Sequence, residues 1–163
     1  MHTEEPLIRC FEQSDADCVA ELSIRAWDPV FDSMRQVLGN LIFLLLYPSW
    51  VDDQADAVRT TCAQQANTTW VAEAEAGVVG FVVVNLHENS PIGEIEMIAV
   101  DPVYQRRGIG RALTNFAVDR IKDAGKTVAM ISTGGDQGHV QARRMYSSAG
   151  FTLRPIARYF KAL

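Results

Sequence analysis

Apolar residues recur with helical spacing in the first 65 residues of the chain and with strand spacing from Thr69 onward. In the first part, an apolar run over residues 7–11 predicts a short strand. Segments with apolar residues three or four positions apart then predict helices over residues 14 or 15 to 27, 30–38, 41–47 and 52–65. We expect breaks at Asp28-Pro29 and Gly39-Asn40, because proline interrupts a helix and glycine often ends one.

Period-two patterns in the second part predict strands, with two helical patterns between them. The predicted strands cover residues 69–73, 78–85, 94–100, 127–132, 151–154 and 156–160, and the predicted helices cover residues 109–121 and 139–148. The helix between the fourth and fifth strands forms a crossover, so these two strands should lie parallel. We therefore predict a mixed α/β fold in a single domain, residues 1–163.

Composition narrows the class of protein. The chain has 163 residues, 48% hydrophobic and 21% charged, as in ordinary globular domains. The net charge of −5 argues against a nucleic-acid partner. The acidic start, residues 1–6, is unlike a secretory leader, and the most apolar run, residues 41–47, is too short to span a bilayer. With three cysteines that lack metal-ligand spacing, we expect a cytoplasmic protein without metal or membrane partner.

The segment between the fourth strand and the following helix has the features of a phosphate-binding turn. Asp101-Pro102 ends the strand, and Gly108 and Gly110 open the helix, whose free amides and dipole attract anions. Neither glycine has a Cβ, so a ligand can approach the backbone closely. Three arginines add positive charge beside the turn: Arg106, Arg107 and Arg111. The pattern indicates a site for a di- or polyphosphate, and an ordinary turn with surface arginines is the alternative.

Two common nucleotide motifs do not fit this turn. A Walker loop ends in Gly-Lys-Ser/Thr, whereas Gly110 is followed by Arg111-Ala112. A dinucleotide fingerprint needs a third glycine, where this chain has Leu113, and an acidic residue after the next strand, which reads VAMI. The hexapeptide QRRGIG at residues 105–110 instead resembles the Gln/Arg-x-x-Gly-x-Gly/Ala motif of the GCN5-related N-acetyltransferases (GNAT family).

That resemblance implies a fold and a ligand. In the family this loop binds the pyrophosphate of acetyl-coenzyme A, and the fourth and fifth strands splay apart so that freed backbone groups bind the pantetheine arm. The implied cofactor-binding residues on strand and loop are Ile98, Ala99, Val100, Gln105, Arg106, Arg107, Gly108, Ile109, Gly110 and Arg111. The resemblance also implies a GNAT-like domain around a mixed sheet of six or seven strands flanked by helices. It is strongest over residues 94–151 and rests on element order before them.

A second match is the helix at residues 139–151, HVQARRMYSSAGF. It resembles the family pattern Asn-x-x-Ala-x-x-Leu/Met-Tyr-x-x-x-Gly-Phe, in which the tyrosine protonates the departing coenzyme A sulfur. Tyr146 takes that place, since a phenol keeps its proton at pH 7, and a core tyrosine is the alternative. His139 stands where asparagine is usual and could bond the pantetheine arm, cap the helix or face solvent. Arg143 could reach the cofactor phosphates or lie on the surface.

Two glutamates on the fourth strand are candidates for accepting the proton of an amine substrate. Glu94 and Glu96 are two residues apart on a strand, so they should share one face. An amine with a pKa of about 10.4 must lose a proton before it attacks a thioester, and a nearby carboxylate can accept that proton. In the family this strand often supplies such a glutamate, and a solvated face or a salt bridge is the alternative. Asp136 lies near the expected path of the acceptor or the pantetheine arm, unless it only structures its loop.

Residues and resemblance together predict an acetyl-coenzyme A dependent N-acetyltransferase that acetylates a primary amine by direct attack. The acceptor, a small molecule or a peptide, would enter over the first helices, where four aromatic residues are pocket walls or core: Trp27, Phe31, Phe43 and Trp50. The alternatives are a peptide or protein N-terminal acetyltransferase and a non-catalytic acyl-coenzyme A binding domain, which would need neither Tyr146 nor the glutamates. Homodimers are common in the family, so we also expect a homodimer.

Overall fold

One open sheet of five strands forms the centre of the computed structural model, which describes residues 6–163. The strands follow chain order across the sheet: β1 (Leu7–Cys10), β2 (Thr69–Ala74), β3 (Gly77–Leu86), β4 (Ile92–Val100) and β5 (Val128–Ile131). β1 to β4 form an antiparallel meander, and β5 lies parallel to β4. The predicted mixed sheet and the parallel fourth and fifth strands are therefore confirmed. The prediction about a leader concerns residues 1–6, of which residues 1–5 lie outside the described range.

The described range contains four α-helices, of which the last follows the final strand: α1 (Ala16–Leu46), α2 (Trp50–Gln64), α3 (Ile109–Asp123) and α4 (Val140–Ser148). The break predicted at Asp28-Pro29 is wrong, because α1 continues through Pro29. An interior proline removes a hydrogen bond and costs about 3 kcal/mol. Packing on both sides of Pro29 offsets that cost, since Leu22 and Phe31 are buried. The second break is confirmed, because Gly39 leaves the helical conformation with φ 76° and ψ 157°.

The helices cover both faces of the sheet and give the domain three layers. α1 and α2 bury residues such as Leu22 and Val58 against one face, where they meet Phe81 of β3. α3 buries Leu113 and Ile121 against the other face. The helix predicted over residues 52–65 is confirmed as α2, and its predicted apolar face is buried: Ala55, Val58 and Cys62.

The closing strands predicted over residues 151–154 and 156–160 are absent from the described structure, so the sheet has five strands and not six or seven. The backbone hydrogen bond nearest the C-terminus runs from the Phe151 amide to the Tyr146 carbonyl, at 3.0 Å. An apolar and polar pattern predicts which residues would share a strand face. A strand forms only when its amides and carbonyls pair with a neighbour, and the backbone of residues 152–163 pairs with none of the residues from 6 to 163.

One helical stretch, Gln13–Leu46, is long and apolar enough by length and composition to cross a membrane. The core helix of a globular domain passes the same test, and Val19, Leu22 and Phe43 of this stretch are fully buried. The exposed leucines of the stretch follow the bend at Gly39: Leu41, Leu44, Leu45 and Leu46. Length and composition alone therefore do not identify α1 as a membrane helix.

Candidate active site

Short-range hydrogen bonds fix the backbone of the turn between β4 and α3. The Asp101 carboxylate accepts a hydrogen bond from the Val103 amide at 3.0 Å, and a short 3-10 turn, Pro102–Tyr104, follows. The side chain of Gln105 reaches back and donates from Nε2 to the Val100 carbonyl at 3.0 Å. Gln105 therefore braces the turn from within, a role that the sequence motif did not reveal.

The turn also has an ion pair with the first helix. Arg25 of α1 contacts the Asp101 carboxylate with Nη2 at 2.7 Å and with Nε at 3.1 Å. Burial by itself would raise the pKa of Asp101. The hydrogen bonds from Arg25 and from the Val103 amide, with the Arg25 charge, outweigh it and lower that pKa below its ordinary value. Sequence reasoning missed Arg25, which lies 76 residues away from Asp101.

The turn presents free amides at the start of α3. Two residues have left-handed backbone conformations, Arg106 at φ 64° and Gly108 at φ 86°. Within residues 6–163, the first backbone hydrogen bond of α3 runs from the Ala112 amide to the Gly108 carbonyl, and the amides from Arg106 to Arg111 donate to no backbone carbonyl. Such a row of unpaired amides at a helix N-terminus is a concave anion site.

Arginines surround these amides, as the sequence predicted. Arg106, Arg107 and Arg111 are exposed, and none of them forms an ion pair with another described residue. Arg107 stacks on the ring of Tyr104, with 5.0 Å from Cζ to the ring centroid. The positive charge beside the turn is therefore available to a phosphate.

The two glycines of the turn have different roles. A Cβ on Gly108 would have no neighbour within 4 Å, so its surroundings are open, and its positive φ favours glycine. A Cβ on Gly110 would lie 3.2 Å from Sδ of Met145 in α4. The missing Cβ of Gly110 allows α4 to pack against the start of α3, a role that the sequence did not reveal, and ligand approach to the Gly110 backbone stays a prediction.

β4 and β5 separate at the level of this turn. Their pairing covers Ile92 to Ile95 on β4, and β5 ends at Ile131, so no strand of the described structure lies beside the rest of β4 on that edge. The Asp101 amide donates to the Val79 carbonyl of β3 at 2.9 Å. Because the polar groups of a strand alternate between its two edges, those of Ile98 and Val100 point into the gap. This geometry suits an extended chain with amide groups, as the family resemblance implies for Ile98, Ala99 and Val100.

Tyr146 lies in α4 next to the residue that contacts Gly110. Its side chain is 9% exposed, and its ring meets the ring of Phe151 edge-on at a centroid distance of 6.0 Å. Burial raises the pKa of Tyr146 to about 12. The phenol therefore stays protonated near neutral pH, as a proton donor must be.

A β-bulge modifies the strand that carries the two glutamates. Val83 of β3 faces Met97 and Val84 faces Ile95, so Glu96 has no partner across the pair. Glu94 lies opposite Asn85 and is bonded to His87, with 2.8 Å between its Oε2 and the imidazole Nε2. Glu96 is exposed and lies 3.4 Å from Nε2 of Gln65 at the end of α2. Sequence reasoning assigned nothing to His87, although it directly follows the strand that pairs with Glu94.

A partly buried polar network joins α1 to the loop before α4. The Asp136 carboxylate accepts a hydrogen bond from Ser33 Oγ at 2.5 Å and lies 2.6 Å from His139 Nδ1. The Gly138 amide donates to Ser33 Oγ at 2.8 Å. Desolvation would raise the pKa of Asp136, but the bonds to Ser33 and His139 and the His139 charge lower it. The loop role considered for Asp136 is thus present, and Ser33, 103 residues away, had no signal in the sequence.

Arg143 supports the same loop. Its Nη1 donates to the Gly134 carbonyl at 2.6 Å and to the Asp136 carbonyl at 2.8 Å. His139 is largely buried and bonded to Asp136, so it neither faces solvent freely nor caps α4 through its side chain. Contacts of His139 and Arg143 with a cofactor stay predictions.

Aromatic residues gather where α1 meets α2. Phe31 stacks on Trp50 at a centroid distance of 4.4 Å and meets Phe43 edge-on at 6.4 Å. An open depression of about 390 Å³ lies beside them and is lined by residues that include Arg35, Tyr47 and Trp50. Three of the four predicted aromatic wall residues therefore come together, whereas Trp27 packs against the core between α1, α2 and the sheet.

The fold, the amide-lined turn, the gap beside β4 and the protonated tyrosine together define the GNAT class of α/β domain. The chain belongs to the acetyltransferase (GNAT) family, whose sequence profile matches residues 36–151. Within residues 6–163, no group of three or more His, Cys, Asp or Glu side chains is arranged to hold a metal ion.

Relatives of known activity differ in their acceptors. The chain is 29% identical over 143 residues to mycothiol acetyltransferase of Sanguibacter keddieii, covering 80% of this chain and 44% of that protein. It is 29% identical over 162 residues to aminoglycoside N(6')-acetyltransferase type 1 of Stenotrophomonas maltophilia, covering 99% of this chain and 95% of that protein. The chain thus spans less than half the length of the mycothiol acetyltransferases that it matches.

Solved structures share the fold. A GNAT-family acetyltransferase of Staphylococcus aureus superposes with a TM-score of 0.68 at 19% identity, covering 93% of this chain and 86% of that one. The PaiA N-acetyltransferase of Thermoplasma acidophilum, solved in complex with coenzyme A, has a TM-score of 0.67 at 16% identity, with 87% of each chain covered. At these identities the likeness concerns the fold.

Proposed function

We propose that this protein transfers the acetyl group of acetyl-coenzyme A to a primary amine, by direct attack of the amine on the thioester. The observation that carries the proposal is the contact between Gly110 and Met145, because it brings the helix of Tyr146 against the amide-lined turn. This proximity supports the assignment of the phosphate-binding amides and the protonated phenol to one site. Family membership supports the same reaction class.

Different parts of the chain bind different parts of acetyl-coenzyme A. The amides from Arg106 to Arg111 and the nearby guanidinium groups bind the pyrophosphate. The free edge of β4 at Ile98 and Val100 holds the pantetheine arm. Acetyl-coenzyme A supplies the activated acyl group and a thiolate leaving group. Holding both reactants in line is the main contribution of the protein, since orientation alone lowers the barrier by several kcal/mol, roughly 7–11 in well-oriented cases.

Two proton movements complete the reaction. A strand glutamate accepts the proton of the ammonium group, directly or through water, and Glu94 is better held than Glu96 because of its bond to His87. Tyr146 donates its proton to the departing sulfur, which the pKa of about 12 permits at neutral pH. The neutral amine brings two protons to the attack, and its nitrogen forms the bond to the acyl carbon as the bond from that carbon to sulfur breaks. One of the two protons stays on the amide nitrogen, and the other returns through water to the Tyr146 phenolate, which restores the phenol.

For the acceptor we infer a small cationic amine. The chain has a net charge of −5, which favours a positively charged substrate. An aminoglycoside N(6')-acetyltransferase is similar over almost its whole length, which supports a small polar amine over a protein. A peptide or protein N-terminus, and a non-catalytic acyl-coenzyme A binding role, are outcomes that the experiment below separates from this proposal.

The cellular location and the oligomeric state of the protein are also proposals. We infer a cytoplasmic homodimer that needs neither nucleic acid nor membrane. The free thiols of Cys10 and Cys18 are exposed, and such thiols persist in reducing compartments. The acidic net charge does not favour binding to nucleic acid or to anionic lipid.

The test is thiol release from acetyl-coenzyme A, measured with a thiol-detecting reagent across a panel of amines and N-terminal peptides. Wild type is compared with Tyr146→Phe and with the control Tyr159→Phe, whose side chain is 92% exposed and outside the site. We expect amine-dependent release that falls about 100-fold or more in Tyr146→Phe and is unchanged in the control.

Other outcomes separate the alternatives. Release with peptides alone would replace the small amine by an N-terminal acceptor. Tight binding of coenzyme A without release on any amine would favour a binding domain, and absence of binding would overturn the assignment of the turn.

A further inference from the structure

His139 and Asp136 form a hydrogen-bonded pair in the loop before α4. Oδ1 of Asp136 lies 2.6 Å from Nδ1 of His139, and the two side chains are 12% and 17% exposed. Desolvation opposes the ionisation of Asp136, but its bonds to Ser33 and His139 outweigh it and lower its pKa. An ionised carboxylate only accepts hydrogen bonds, so the neutral imidazole carries its proton on Nδ1. Its Nε2 therefore keeps a lone pair that can accept a proton.

The surroundings of the pair fix the direction of the imidazole ring. Oδ2 of Asp136 accepts hydrogen bonds from Ser33 Oγ at 2.5 Å and from the Gly138 amide at 3.1 Å, so the carboxylate is held on both oxygens. Gly134 lies directly against the pair, since a Cβ there would collide with Oδ1 of Asp136 and Nδ1 of His139. The ring is thereby oriented with Nε2 away from Asp136.

Nε2 of His139 is open to a ligand. None of the residues from 6 to 163 forms a hydrogen bond with it, whereas Nδ1 is bonded. In the same range, no side-chain nitrogen or oxygen is both buried and without a hydrogen-bond partner, so Nε2 is in contact with solvent. The pair therefore presents an oriented proton acceptor to the space beside α4.

His139 lies where the cofactor gap meets the first helix. The loop that carries it starts where β5 ends, at Ile131, on the side of the sheet where the gap beside β4 opens. His139 is the N-cap residue of α4 and precedes Tyr146 by about two helical turns, so both share one face of α4, roughly 10 Å apart along its axis. Ser33 ties the same loop to α1.

We propose that His139 accepts the second proton of the attacking amine, and that Asp136 and Ser33 position it for this step. The inference rests on the proposed acetyl transfer and deepens it by assigning the route of one proton. The first proton, from the ammonium group, still goes to the strand glutamate.

The step balances in protons and charge. Once bonded to the acyl carbon, the amine nitrogen carries one proton more than the amide product keeps. Nε2 of His139 takes this proton while the bond from carbon to sulfur breaks and Tyr146 protonates the sulfur. The imidazolium faces the Asp136 carboxylate, which stabilises its charge. Water then carries the proton from His139 to the Tyr146 phenolate, so both side chains return to their starting states.

The first test is His139→Asn, measured by thiol release with the best amine of the panel. Asparagine keeps a hydrogen-bonding side chain but accepts no proton near neutral pH. We expect kcat to fall about 100-fold, with a change of less than about twofold in the KM for acetyl-coenzyme A. An unchanged kcat would show that hydrogen bonding alone suffices and would overturn the proposal.

Chemical rescue separates proton transfer from structural support. His139→Ala leaves room for a free imidazole, which should restore kcat at least about tenfold and saturate with concentration. Samples without the amine correct for acetylation of imidazole itself. Asp136→Asn should also lose kcat, because an amide can bond the other tautomer of His139, and imidazole should not rescue it while the ring is in place. Failure of imidazole to rescue His139→Ala would contradict the relay.

Two neighbouring glycines give a matched pair that leaves His139 in the chain. Gly134→Ala pushes the ring away from Asp136 and should lower kcat at least about tenfold. Gly135→Ala is the control, because a Cβ there has no neighbour within 4 Å, and its kcat should be unchanged. Equal kcat values in the two variants would contradict the positioning of His139. This pair decides even if His139→Ala does not fold.

The outcomes separate this step from the proposed function. Absence of thiol release by the wild type with every acceptor would overturn acetyl transfer, and the step of His139 with it. Release by the wild type that persists at full rate in His139→Asn would overturn the His139 step alone and leave acetyl transfer established.

Discussion

The cofactor half of the site (β4, α3 and α4) and the helical half (α1 and α2) are built in different ways. The cofactor half uses backbone groups of one continuous segment, such as the amides from Arg106 to Arg111. The helical half depends on side chains from distant segments, such as Ser33 with Asp136 and Phe31 with Trp50. This difference explains why the sequence predicted the class of phosphate ligand but did not identify the amine acceptor.

The largest predicted effect is a loss of kcat on substitution of Glu94 in β4, the strand that borders both halves. Glu94→Gln should lower kcat about 100-fold with little change in the KM for acetyl-coenzyme A, because the amide cannot accept the amine proton. Glu96→Gln is the matched control, and it should lower kcat only a few-fold because its side chain is exposed at the bulge. Steady-state kinetics across pH would check this. The reverse ranking would assign the base to Glu96.

A backbone change at Gly108 should weaken the binding of coenzyme A to the cofactor half. Gly108→Val forces a branched residue into φ 86°, which costs about 1–3 kcal/mol and displaces the free amides. We expect coenzyme A binding about tenfold weaker by calorimetry. Gly77→Val has a similar positive φ and equally open surroundings in the β2–β3 turn, so it should lose similar stability and keep its affinity. Equal affinity in both variants would contradict a backbone site.

The hydrogen bonds of Ser33 join the two halves, and Ser33→Ala should therefore destabilise the fold. The variant loses the hydrogen bond to Asp136 and leaves the Gly138 amide without its Ser33 acceptor. We expect a loss of about 1–3 kcal/mol in the free energy of unfolding by urea denaturation, since the site is buried. Ser148→Ala removes only an exposed local bond to Met145, so it should cost much less. Equal losses would mean that the network does not stabilise the fold.

The smallest effect is a pH dependence of stability. The pKa of Asp136 is lower in the folded protein than its unfolded value of about 3.9, so its contribution is present above that value. The contribution is lost as pH falls through the folded pKa. Asp136→Asn should therefore unfold at lower urea concentration near pH 6 and show a flatter decline between pH 4 and pH 2. Asp101→Asn tests the same rule in the cofactor half. Unchanged slopes would contradict the assigned shifts.

Much of the fold was predicted from hydrophobic patterns within short segments of the sequence. The strands and α2 to α4 were predicted with small errors at their ends, because alternation and helical spacing report which face of an element is buried. The predicted break at Asp28-Pro29 failed because burial on both sides of Pro29 outweighs the lost hydrogen bond. The closing strands failed because pairing needs a partner edge, which a pattern cannot supply.

The sequence by itself determined the family, the turn with two glycines and three arginines, and the position of Tyr146 in the following helix, because each depends on residues close together in the chain. The tertiary structure alone decided the roles of Arg25, Ser33 and His87, whose partners are set by how α1 packs and how β3 and β4 pair. It also revealed the close packing of Met145 on Gly110. Local interactions can be read along a chain, whereas contacts between distant residues exist only after the layers have packed.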